Sequence, residues 1–446
     1  MKKLLLIVYL LLTYSTIQAQ VAIRELPLMG YEQRIRNYID TMKIVDTHEH
    51  LVSPKGIGQS GMCDFMLLLH QYSDDDIKSS GMSKPTFETL LRDSLSVLQK
   101  WAVLKPYWEN SFNTSYNRAA LLASDRLFGI SELNETTVTK LSSKIKEAYQ
   151  TDWYRIVLKE KCNIDFLIND DTDRSFGDSS MMRYTQRFDY TRIDSKNKIN
   201  QLSKQYGAPI LSLNDLVNSL NSEFDKRMQQ GITCIKSPAA YYRSLYYEDV
   251  SKEKAEEVFN FIRESQEKEI DFEKVKPLSD YMMHRMLDLA LKYHIPVQIH
   301  TGLQAGDGNY IMNSNPALLA NLFIKYRGVQ FILFHGGYPY GGELASLAKN
   351  FRNVYIDLCW VYLISPSYSE RYLHEWLETI PANKIMAFGG DYENVENIYG
   401  HLLFAREIIT KVLSAKVRDG YFSEKEALKI AQMILHDNAV NLFHLK

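Results

Sequence analysis

Short apolar runs alternate with stretches of helical periodicity along most of the chain. The segment YEQRIRNYIDTM spaces its apolar positions as one face of a helix does. After it come runs rich in β-branched and aromatic residues, separated by further helical stretches, which is typical of βαβα folds. The predicted strands, in chain order, are KIVDTH, NIDFLIND, MRYTQRFD, ITCIKS, PVQIHTG, QFILFHGG, NVYIDLC and KIMAFGGD.

Eight predicted strands with helices between them indicate an α/β fold, specifically a (β/α)8 TIM barrel. The connection between strands 1 and 2, about residues 63–161, is too long for a loop and is predicted to be a helical insertion. Its amphipathic stretches include FETLLRDSLSVLQKWAVL and ETTVTKLSSKIKEAYQTDWYRIVLKEK. The insertion is either a lid over the barrel mouth or an addition that only extends the barrel edge.

The chain of 446 residues can bury a large core, and its sequence has no internal repeat, low-complexity tract or Pro/Gly-rich linker that would mark a second domain. We therefore expect one barrel domain over residues 20–446. The formal net charge of -2 gives no electrostatic reason to expect nucleic acid or an anionic membrane surface. A small-molecule substrate is the expected partner, and the oligomeric state, including a homo-oligomer, is left open.

The first residues, MKKLLLIVYLLLTYSTIQAQ, have a basic start, an apolar run over residues 4–12, and small or polar residues up to Ala19. This pattern predicts a signal peptide over residues 1–19, because the apolar run is shorter than the roughly 20 residues that span a bilayer. The mature protein is expected to be periplasmic or secreted, with no stable membrane anchor. A retained N-terminal anchor is the alternative reading.

Cysteine usage gives no sign of a disulfide framework or a cysteine-based zinc site. The four cysteines lie far apart and form no Cys-x-x-Cys pair: Cys63, Cys162, Cys234 and Cys359. In a chain of this length we interpret them as buried thiols.

Polar residues that suit catalysis follow the predicted strands at their carboxyl ends. The active sites of TIM barrels lie at this face, so the placement indicates a site there. The residues are His48 and His50, Asp170 and Asp171, Arg187 and Asp189, Lys236, His300, His335, and Asp391.

His48 and His50 are two positions apart at the end of a strand, so both imidazoles can face one point. Two neutral imidazole nitrogens are suitable ligands for a divalent metal; we expect zinc, with manganese or iron as alternatives. His300 and Asp391 are the predicted third and fourth ligands because each ends a strand. Such a set leaves room for a water acidified by the metal, and Asp391 is expected to accept its proton.

Four further residues are predicted to act on the substrate or near the metal. His335 either binds the metal or, as we prefer, hydrogen-bonds the water or a substrate oxygen. Lys236 has three open roles: as a carboxylated lysine it would bridge a second metal ion, as an ammonium it would bind an anionic substrate group, or it would pair with a nearby acid. Arg243 is either a partner for a substrate carboxylate or a solvated surface arginine, and Arg187 is a second substrate-binding candidate.

The motifs VDTHEHL, IKSPAAYYR, PVQIHTG, FHGGYPY, GGDYEN and DNAVNLF together resemble the amidohydrolase superfamily, in its amidohydrolase-related branch with nodulin and FluG-like domains. The resemblance covers residues 44–443 and is strongest from residue 231 onward. The middle of the chain, YWENSFNTSYNRAALLASDRLFGI and RIVLKEKCNIDFLINDD, is more similar to uronate isomerases. The resemblance implies a metal-dependent barrel enzyme with the ligands named above and His335 as a catalytic histidine.

The function expected from these features is hydrolysis, in which a metal-activated water attacks the amide, ester or lactone carbonyl of a small substrate. The first alternative is a decarboxylase or a uronate-isomerase-like enzyme, although a signal peptide departs from the cytoplasmic metabolism of uronates. The second alternative is a non-catalytic barrel that contains a metal and binds a ligand. The polar strand ends exceed the four ligands that a closed structural site needs, which disfavours this reading.

Overall fold

The computed structural model describes residues 30–170, 176 and 178–446. The predicted signal peptide over residues 1–19 and the strand-end residue Asp171 lie outside these described residues. Within the described part of the chain, no helix is long and apolar enough to cross a membrane.

Eight parallel strands form one sheet in the described residues, and each coincides with a predicted run. Each strand pairs with the next one along the chain. This order confirms the α/β fold and the (β/α)8 barrel. The strands are β1 (Ile44–Glu49), β2 (Ile164–Asn169), β3 (Met182–Arg187), β4 (Ile232–Ser237), β5 (Val297–Ile299), β6 (Phe331–Leu333), β7 (Val354–Asp357) and β8 (Ile385–Met386).

The barrel closes where β1 meets the segment that follows β8. The backbone N–H of Thr47 donates to the carbonyl of Phe388 at 3.1 Å, and the N–H of Asp391 donates to the carbonyl of His48 at 2.9 Å. The sheet therefore joins its first strand to its last beside the predicted metal ligands. A site at this seam has backbone hydrogen bonds on both sides, which fixes its geometry.

The barrel strands are short and almost wholly buried. All residues of β1, β5, β6 and β8 are buried, in keeping with sequence runs that are apolar rather than alternating. The buried polar residues of β1 are therefore exceptions to an apolar barrel interior, and such exceptions are more often functional than structural.

By its contacts, the described chain divides into two compact units. The barrel unit comprises Met42–Leu51, Asn163–Glu393 and Leu428–Lys446. The helical unit comprises the described residues up to Thr41, Val52–Cys162 and Asn394–Ala427. The insertion predicted over residues 63–161 belongs to the helical unit, and its helical character is confirmed.

Buried polar contacts and close helix packing hold the helical unit together. Nζ of Lys100 donates to Oδ2 of Asp64 at 2.7 Å, and both side chains are almost fully buried. Gly400 allows one helix to approach another closely, since a Cβ there would lie 2.5 Å from the carbonyl oxygen of Ala119. The helices are Gly30–Thr41, Pro54–Gly58, Ser73–Ser79, Lys84–Leu90, Val97–Ser111, Ser115–Phe128, Thr137–Ala148, Trp153–Arg155 and Val395–Arg418, with a π-helical turn at Ile156–Lys161.

Helices and helical turns connect the barrel strands, as the sequence pattern predicts. The α-helices of the barrel unit are Lys196–Tyr206, Leu213–Gln229, Lys252–Glu264, Phe272–Tyr293, Ala320–Lys325, Gly341–Asn350, Val361–Ile364, Pro366–Thr379 and Asn438–Leu442. One further helix, Glu424–Gln432, crosses the boundary between the two units.

Candidate metal centre

His48 and His50, at the end of β1, direct their imidazoles toward one carboxylate. Nε2 of His48 lies 3.6 Å and Nε2 of His50 lies 3.1 Å from Oδ1 of Asp391. The two rings are nearly perpendicular, at 87°, with centroids 4.9 Å apart. The structure thus brings together three of the four residues predicted to bind a metal, and each contributes an atom of the kind that zinc, iron and manganese accept.

Asp391 is held in an unusual backbone conformation. Its φ is 63°, in the left-handed region that a non-glycine residue seldom adopts, and such strain is common at functional sites. Burial raises the pKa of its carboxyl, but the hydrogen bond with His50 and the charges of His50 and His48 outweigh burial and bring the pKa well below its usual range. Asp391 is therefore an anion at neutral pH, as a metal ligand must be.

Asp170, directly after β2, completes the group. Its Oδ2 lies 3.7 Å from Nε2 of His48 and 3.9 Å from Nδ1 of His50. It was expected at a strand end but not as a ligand. Arg187 holds the same oxygen with its Nη2 at 2.5 Å and its Nε at 2.6 Å, while 42% of the arginine side chain stays exposed.

The separations around His48 suit ligands of one divalent cation. Ligand atoms bound tetrahedrally at about 2.1 Å from an ion lie about 3.4 Å from one another, and Nε2 of His48 lies 3.6 Å from Asp391 and 3.7 Å from Asp170. His50 contacts the two carboxylates through different nitrogens, so it can offer an ion either Nδ1, on the side of Asp170, or Nε2, on the side of Asp391. Burial, followed by the charges of Lys236 and His50, lowers the pKa of His48 well below its ordinary value, so its ring is neutral. Nδ1 of His48 is buried without a hydrogen-bond partner among the described residues. A neutral imidazole and nearby carboxylates are the donors that a divalent metal requires.

Lys236, in β4, is buried beside these residues. Its Nζ lies 3.1 Å from Nε2 of His48 and 4.1 Å from the centroid of the Phe334 ring. Burial lowers the pKa of this amine, although Asp391 and Asp170 act in the opposite direction. In the described residues no carboxylate lies within 4.0 Å of Nζ, so the predicted role of pairing with an acid is not formed in this arrangement.

His300 and His335 form a row of hydrogen bonds between two carbonyl groups. Nδ1 of His335 lies 3.0 Å from the carbonyl oxygen of Cys359. Its Nε2 lies 2.9 Å from Nδ1 of His300, and Nε2 of His300 lies 2.8 Å from the carbonyl oxygen of Leu303. Burial lowers the pKa of His335 to about 4 and that of His300 well below its ordinary value.

This row lacks one proton when both rings are neutral. The row has three contacts, from Cys359 to His335, from His335 to His300 and from His300 to Leu303. Each needs one N–H proton to be a hydrogen bond, and two neutral imidazoles supply only two. The two protons can occupy any two of the three contacts that the tautomers allow, so one contact is left with two facing lone pairs. When the contact to Cys359 is the one without a proton, Nδ1 of His335 carries a lone pair that a cation could take. His300 does not join the group around His48, and its role as a ligand stays a prediction.

Glu49 supports the segment that carries Asp391. Oε2 of Glu49 accepts the N–H of Tyr392 at 2.7 Å, and a Cβ at Gly390 would lie 1.9 Å from Oε1. Asp46 accepts the N–H of Gly390 at 3.2 Å. Burial raises the pKa of Asp46 to about 6 and, with the charge of Asp46, raises that of Glu49 well above its ordinary range. This pair of β1 carboxyls thus fixes the backbone on both sides of Asp391.

Arg243 lies away from the group around His48. Its Nη1 donates to Oγ of Ser279 at 2.6 Å and its Nη2 to Oδ1 of Asp280 at 2.5 Å, and both members of the ion pair are fully buried. Its Nε donates to the carbonyl of Ser244 at 2.9 Å. The guanidinium of Arg243, which was expected to bind a substrate carboxylate, is therefore hydrogen-bonded to buried groups of the protein itself. We leave Arg243 out of the proposed site.

Two residues that the sequence did not single out lie against the site. Tyr241, whose side chain is partly exposed, places its ring centroid 4.6 Å from that of His300. Cys359, after β7, has its Sγ within 4.8 Å of ligand atoms of His335 and Asp391, and all three residues are buried. The sequence offered no signal for Tyr241. Cys359 ends the predicted strand NVYIDLC, and this position could have marked it as a candidate site residue. It was interpreted as a buried thiol because the four cysteines form no Cys-x-x-Cys pair.

A carboxyl-terminal segment of the chain, shorter than half of it, matches a known family. Residues 270–445 match the family model described as Amidohydrolase. Over 176 residues, 38% of this chain, the sequence is 32% identical to Protein fluG of Emericella nidulans. That stretch is 20% of the relative, so this chain spans about a fifth of the length of the relative it matches.

Solved structures with the same fold align over nearly the whole chain. The uronate isomerase of Thermotoga maritima aligns with a TM-score of 0.77 and 17% identity, over 93% of this chain and 97% of its own. The glucuronate isomerase of Caulobacter crescentus gives 0.75 and 18%, over 94% of each chain. A proposed metal-dependent hydrolase from Lactobacillus casei gives 0.63 and 19%, over 92% and 97%. At these identities the likeness shows the fold.

Residues 270–445 are therefore similar to the amidohydrolase family, and the barrel resembles uronate isomerases in its fold. The described residues contain two groups of candidate ligands for a divalent metal. The resemblance that the sequence motifs indicated is confirmed.

Proposed function

We propose that this protein is a metal-dependent hydrolase that cleaves an amide, ester or lactone bond of a small substrate. The observation that carries the proposal is the convergence of His48, His50 and Asp170 with Asp391 at the carboxyl end of the barrel. When bound there, a divalent cation, which we propose to be zinc, would lower the pKa of a water molecule and polarise a carbonyl group.

The chain's own residues would then handle the proton and the substrate. Asp391 is ionised and lies beside the proposed ion, so its carboxylate can accept the proton of an attacking water and return it to a leaving group. Arg187 is partly exposed and is fixed by Asp170, so its remaining N–H groups can bind a substrate carboxylate at the mouth. A carboxylate-bearing substrate is thus the class that we propose.

Lys236 has two roles that the geometry supports. The lowered pKa of its buried amine raises the fraction of the neutral form above that of an exposed lysine, and this is the form that reacts with carbon dioxide to give a carboxylated lysine. As an ammonium it would instead offer a positive charge to an anionic substrate group. Because Nζ lies 3.1 Å from Nε2 of His48, an ion bound by that nitrogen would have to displace or neutralise the ammonium.

A second candidate is isomerisation of a uronate. The observation that favours it is the alignment with uronate isomerases over 93 to 94% of this chain, which includes the helical insertion. The two reactions differ in mass balance, since hydrolysis adds the atoms of one water to the products and isomerisation adds none.

The test is a substrate screen with metal-loaded protein. Dipeptides, N-acyl amino acids, lactones and uronates are incubated with the protein in water enriched in ¹⁸O, and the products are analysed by mass spectrometry. We expect cleavage products in which one ¹⁸O enters the carbonyl-derived fragment. Conversion of uronates into isomers that chromatography separates, with no net addition of water, and no cleavage of the other classes would favour the isomerase; the same uronates incubated without protein correct for exchange of the carbonyl oxygen with water. Ligand binding with no turnover of any class would favour a non-catalytic barrel.

We also propose export of the mature protein to the periplasm or the exterior, from the signal peptide predicted over residues 1–19. N-terminal sequencing of the protein from its native host tests this. We expect a first residue at or close to Gln20; an intact Met1 in a soluble cytoplasmic fraction contradicts export.

A further inference from the structure

Asp391 directs its two carboxylate oxygens toward two different groups of side chains. Oδ1 faces the histidines of β1, at 3.1 Å from Nε2 of His50. Oδ2 is the oxygen nearer to His335, at 4.0 Å from its Nδ1. A carboxylate in this position can bridge two cations with one oxygen for each, as in sites that hold a pair of metal ions.

The group on the Oδ2 side has three residues with ligand atoms of suitable chemistry. Donor atoms of His335, Cys359 and Asp391 all lie within 4.8 Å of one another, and all three residues are buried. Nδ1 of His335 lies 4.0 Å from Oδ2 of Asp391 and offers a lone pair to a cation when the ring carries its proton on Nε2.

We propose that His335, Cys359 and Asp391 form a second metal position, in which the Cys359 thiolate is a ligand and Asp391 bridges to the ion held by His48 and His50. The inference rests on the proposed function and extends it to a site with two ions of different ligand chemistry. Thiolate, imidazole and carboxylate together suit zinc or cobalt better than magnesium or calcium, which prefer oxygen ligands throughout.

The thiol becomes a ligand by losing its proton to solvent as the metal–sulfur bond forms. Without a cation, burial and the charge of Asp391 raise the pKa of Cys359 well above its ordinary value and keep the thiol protonated. The alternative reading is that Cys359 is a small buried hydrophobe, as free cysteines usually are. The two readings differ in one observable property, the presence of sulfur in the metal's coordination shell.

The first measurement uses the wild-type protein loaded with zinc and needs no substitution. X-ray absorption at the zinc edge should show a sulfur scatterer at about 2.3 Å in addition to nitrogen and oxygen at about 2.0 to 2.1 Å. The ratio of zinc to protein should be two. A zinc-loaded protein whose metal has only nitrogen and oxygen ligands overturns the proposal.

The second measurement titrates metal-free protein with Co²⁺ and follows the near-ultraviolet absorption that a cobalt–thiolate bond produces. Cys359→Ser should lose this band and weaken binding of one of the two ions by more than about tenfold, because a ligand has been removed. Cys234→Ala is the matched control: this cysteine is also fully buried in the barrel but is outside both groups of ligand residues. It should keep the band and both ions.

These outcomes separate the inference from the proposed function. If one ion binds without sulfur, and Cys359→Ser binds that ion as the wild type does, the second position is refuted while the proposed hydrolase remains. If no ion binds to the wild type, both are refuted. A cobalt–thiolate band that persists in Cys359→Ser also contradicts the proposal.

Discussion

Nε2 of His50 lies 3.1 Å from Oδ1 of Asp391, across the seam where the first strand of the barrel meets the segment after the last. The two residues are 341 positions apart in the sequence, and only closure of the barrel brings them together. Backbone hydrogen bonds along the seam, such as that from the N–H of Asp391 to the carbonyl of His48 at 2.9 Å, fix their separation. The candidate metal centre therefore depends directly on the fold.

Asp170 tests the composition of this centre. We predict that Asp170→Asn lowers the affinity for a divalent metal by about tenfold to a hundredfold, because a charged ligand becomes a neutral one and Arg187 loses its anionic partner. Competition with a chromogenic chelator measures the affinity. Asp189→Asn is the control, since this exposed aspartate also follows a strand but is outside the group. Equal affinities for both variants would remove Asp170 from the site.

Gly390 tests the support that Glu49 gives to Asp391. A Cβ at Gly390 would lie 1.9 Å from Oε1 of Glu49, so Gly390→Ala should destabilise the protein by about 1 to 3 kcal/mol, as overpacking of a buried site does. Urea denaturation gives the free energy of unfolding. At Gly342, in a helix of the same unit, no atom lies within 4 Å of an added Cβ. Gly342→Ala should therefore leave stability unchanged or raise it slightly; similar losses for both variants would contradict the close contact.

We predict that the free energy of unfolding depends on pH through Glu396, a buried residue of the helical unit. Burial raises its pKa to about 7, while Trp153 and Tyr149 donate to its two oxygens at 2.8 and 3.2 Å. Because the folded-state pKa lies above the unfolded value of 4.5, this group's contribution to stability is full below pH 4.5 and is lost as the pH rises through 7. Glu396→Gln has no such titration, so its stability relative to wild type should increase between pH 5 and 8, by up to about 1.4 kcal/mol per pH unit.

Urea denaturation across this pH range measures the difference between Glu396→Gln and the wild type. The exposed Glu370 provides the control, and Glu370→Gln should follow the wild-type pH dependence. A difference between Glu396→Gln and wild type that stays constant with pH would show that Glu396 does not titrate in this range.

Lys236 has a buried amine whose pKa is lowered by burial. Its destabilising effect is therefore full below the folded-state pKa and disappears as the pH approaches the unfolded value of 10.5. We predict that metal-free Lys236→Met is more stable than metal-free wild type at pH 7, and that the difference shrinks toward pH 10.5. Exposed Lys204 gives the control variant, Lys204→Met, which should match the wild type at each pH.

Metal content and kinetics of the metal-loaded Lys236→Met variant then identify the role of the lysine. Loss of one of two ions indicates a bridging carboxylated lysine. An unchanged metal content with a raised KM indicates that the ammonium binds the substrate, since this contact is common to the ground and transition states. Unchanged metal content and kinetics would remove Lys236 from the catalytic residues.

The barrel could be predicted because each strand is a short apolar run followed by polar residues. This pattern is local in the sequence and does not depend on which distant segments a strand contacts. All eight predicted runs coincide with strands in the described residues. The ligands His48, His50 and Asp391 could be predicted for the same reason, since the carboxyl ends of all strands meet at one face of a barrel. The division of the chain into two compact units was not foreseen, because it depends on contacts between distant segments.

Roles set by distant partners could not be read from the sequence. The guanidinium of Arg243 is held by Asp280, and nothing in the segment IKSPAAYYRSL indicates a carboxylate 37 positions further along. His300 turns its ring toward Leu303 and His335, and this orientation depends on backbone carbonyls rather than on residue type. Asp170 lies next to another aspartate, and the sequence alone does not distinguish which of the two faces the histidines.

The most direct test of the metal centre is the metal content of purified protein, measured by inductively coupled plasma mass spectrometry. We predict at least one divalent ion per chain in the wild type and none in the double variant His48→Ala/His50→Ala. His374→Ala, in which a histidine paired with Glu378 on a helix surface is removed, should keep the wild-type content. Circular dichroism confirms that each variant is folded. A folded double variant with the same metal content as the wild type would contradict the site.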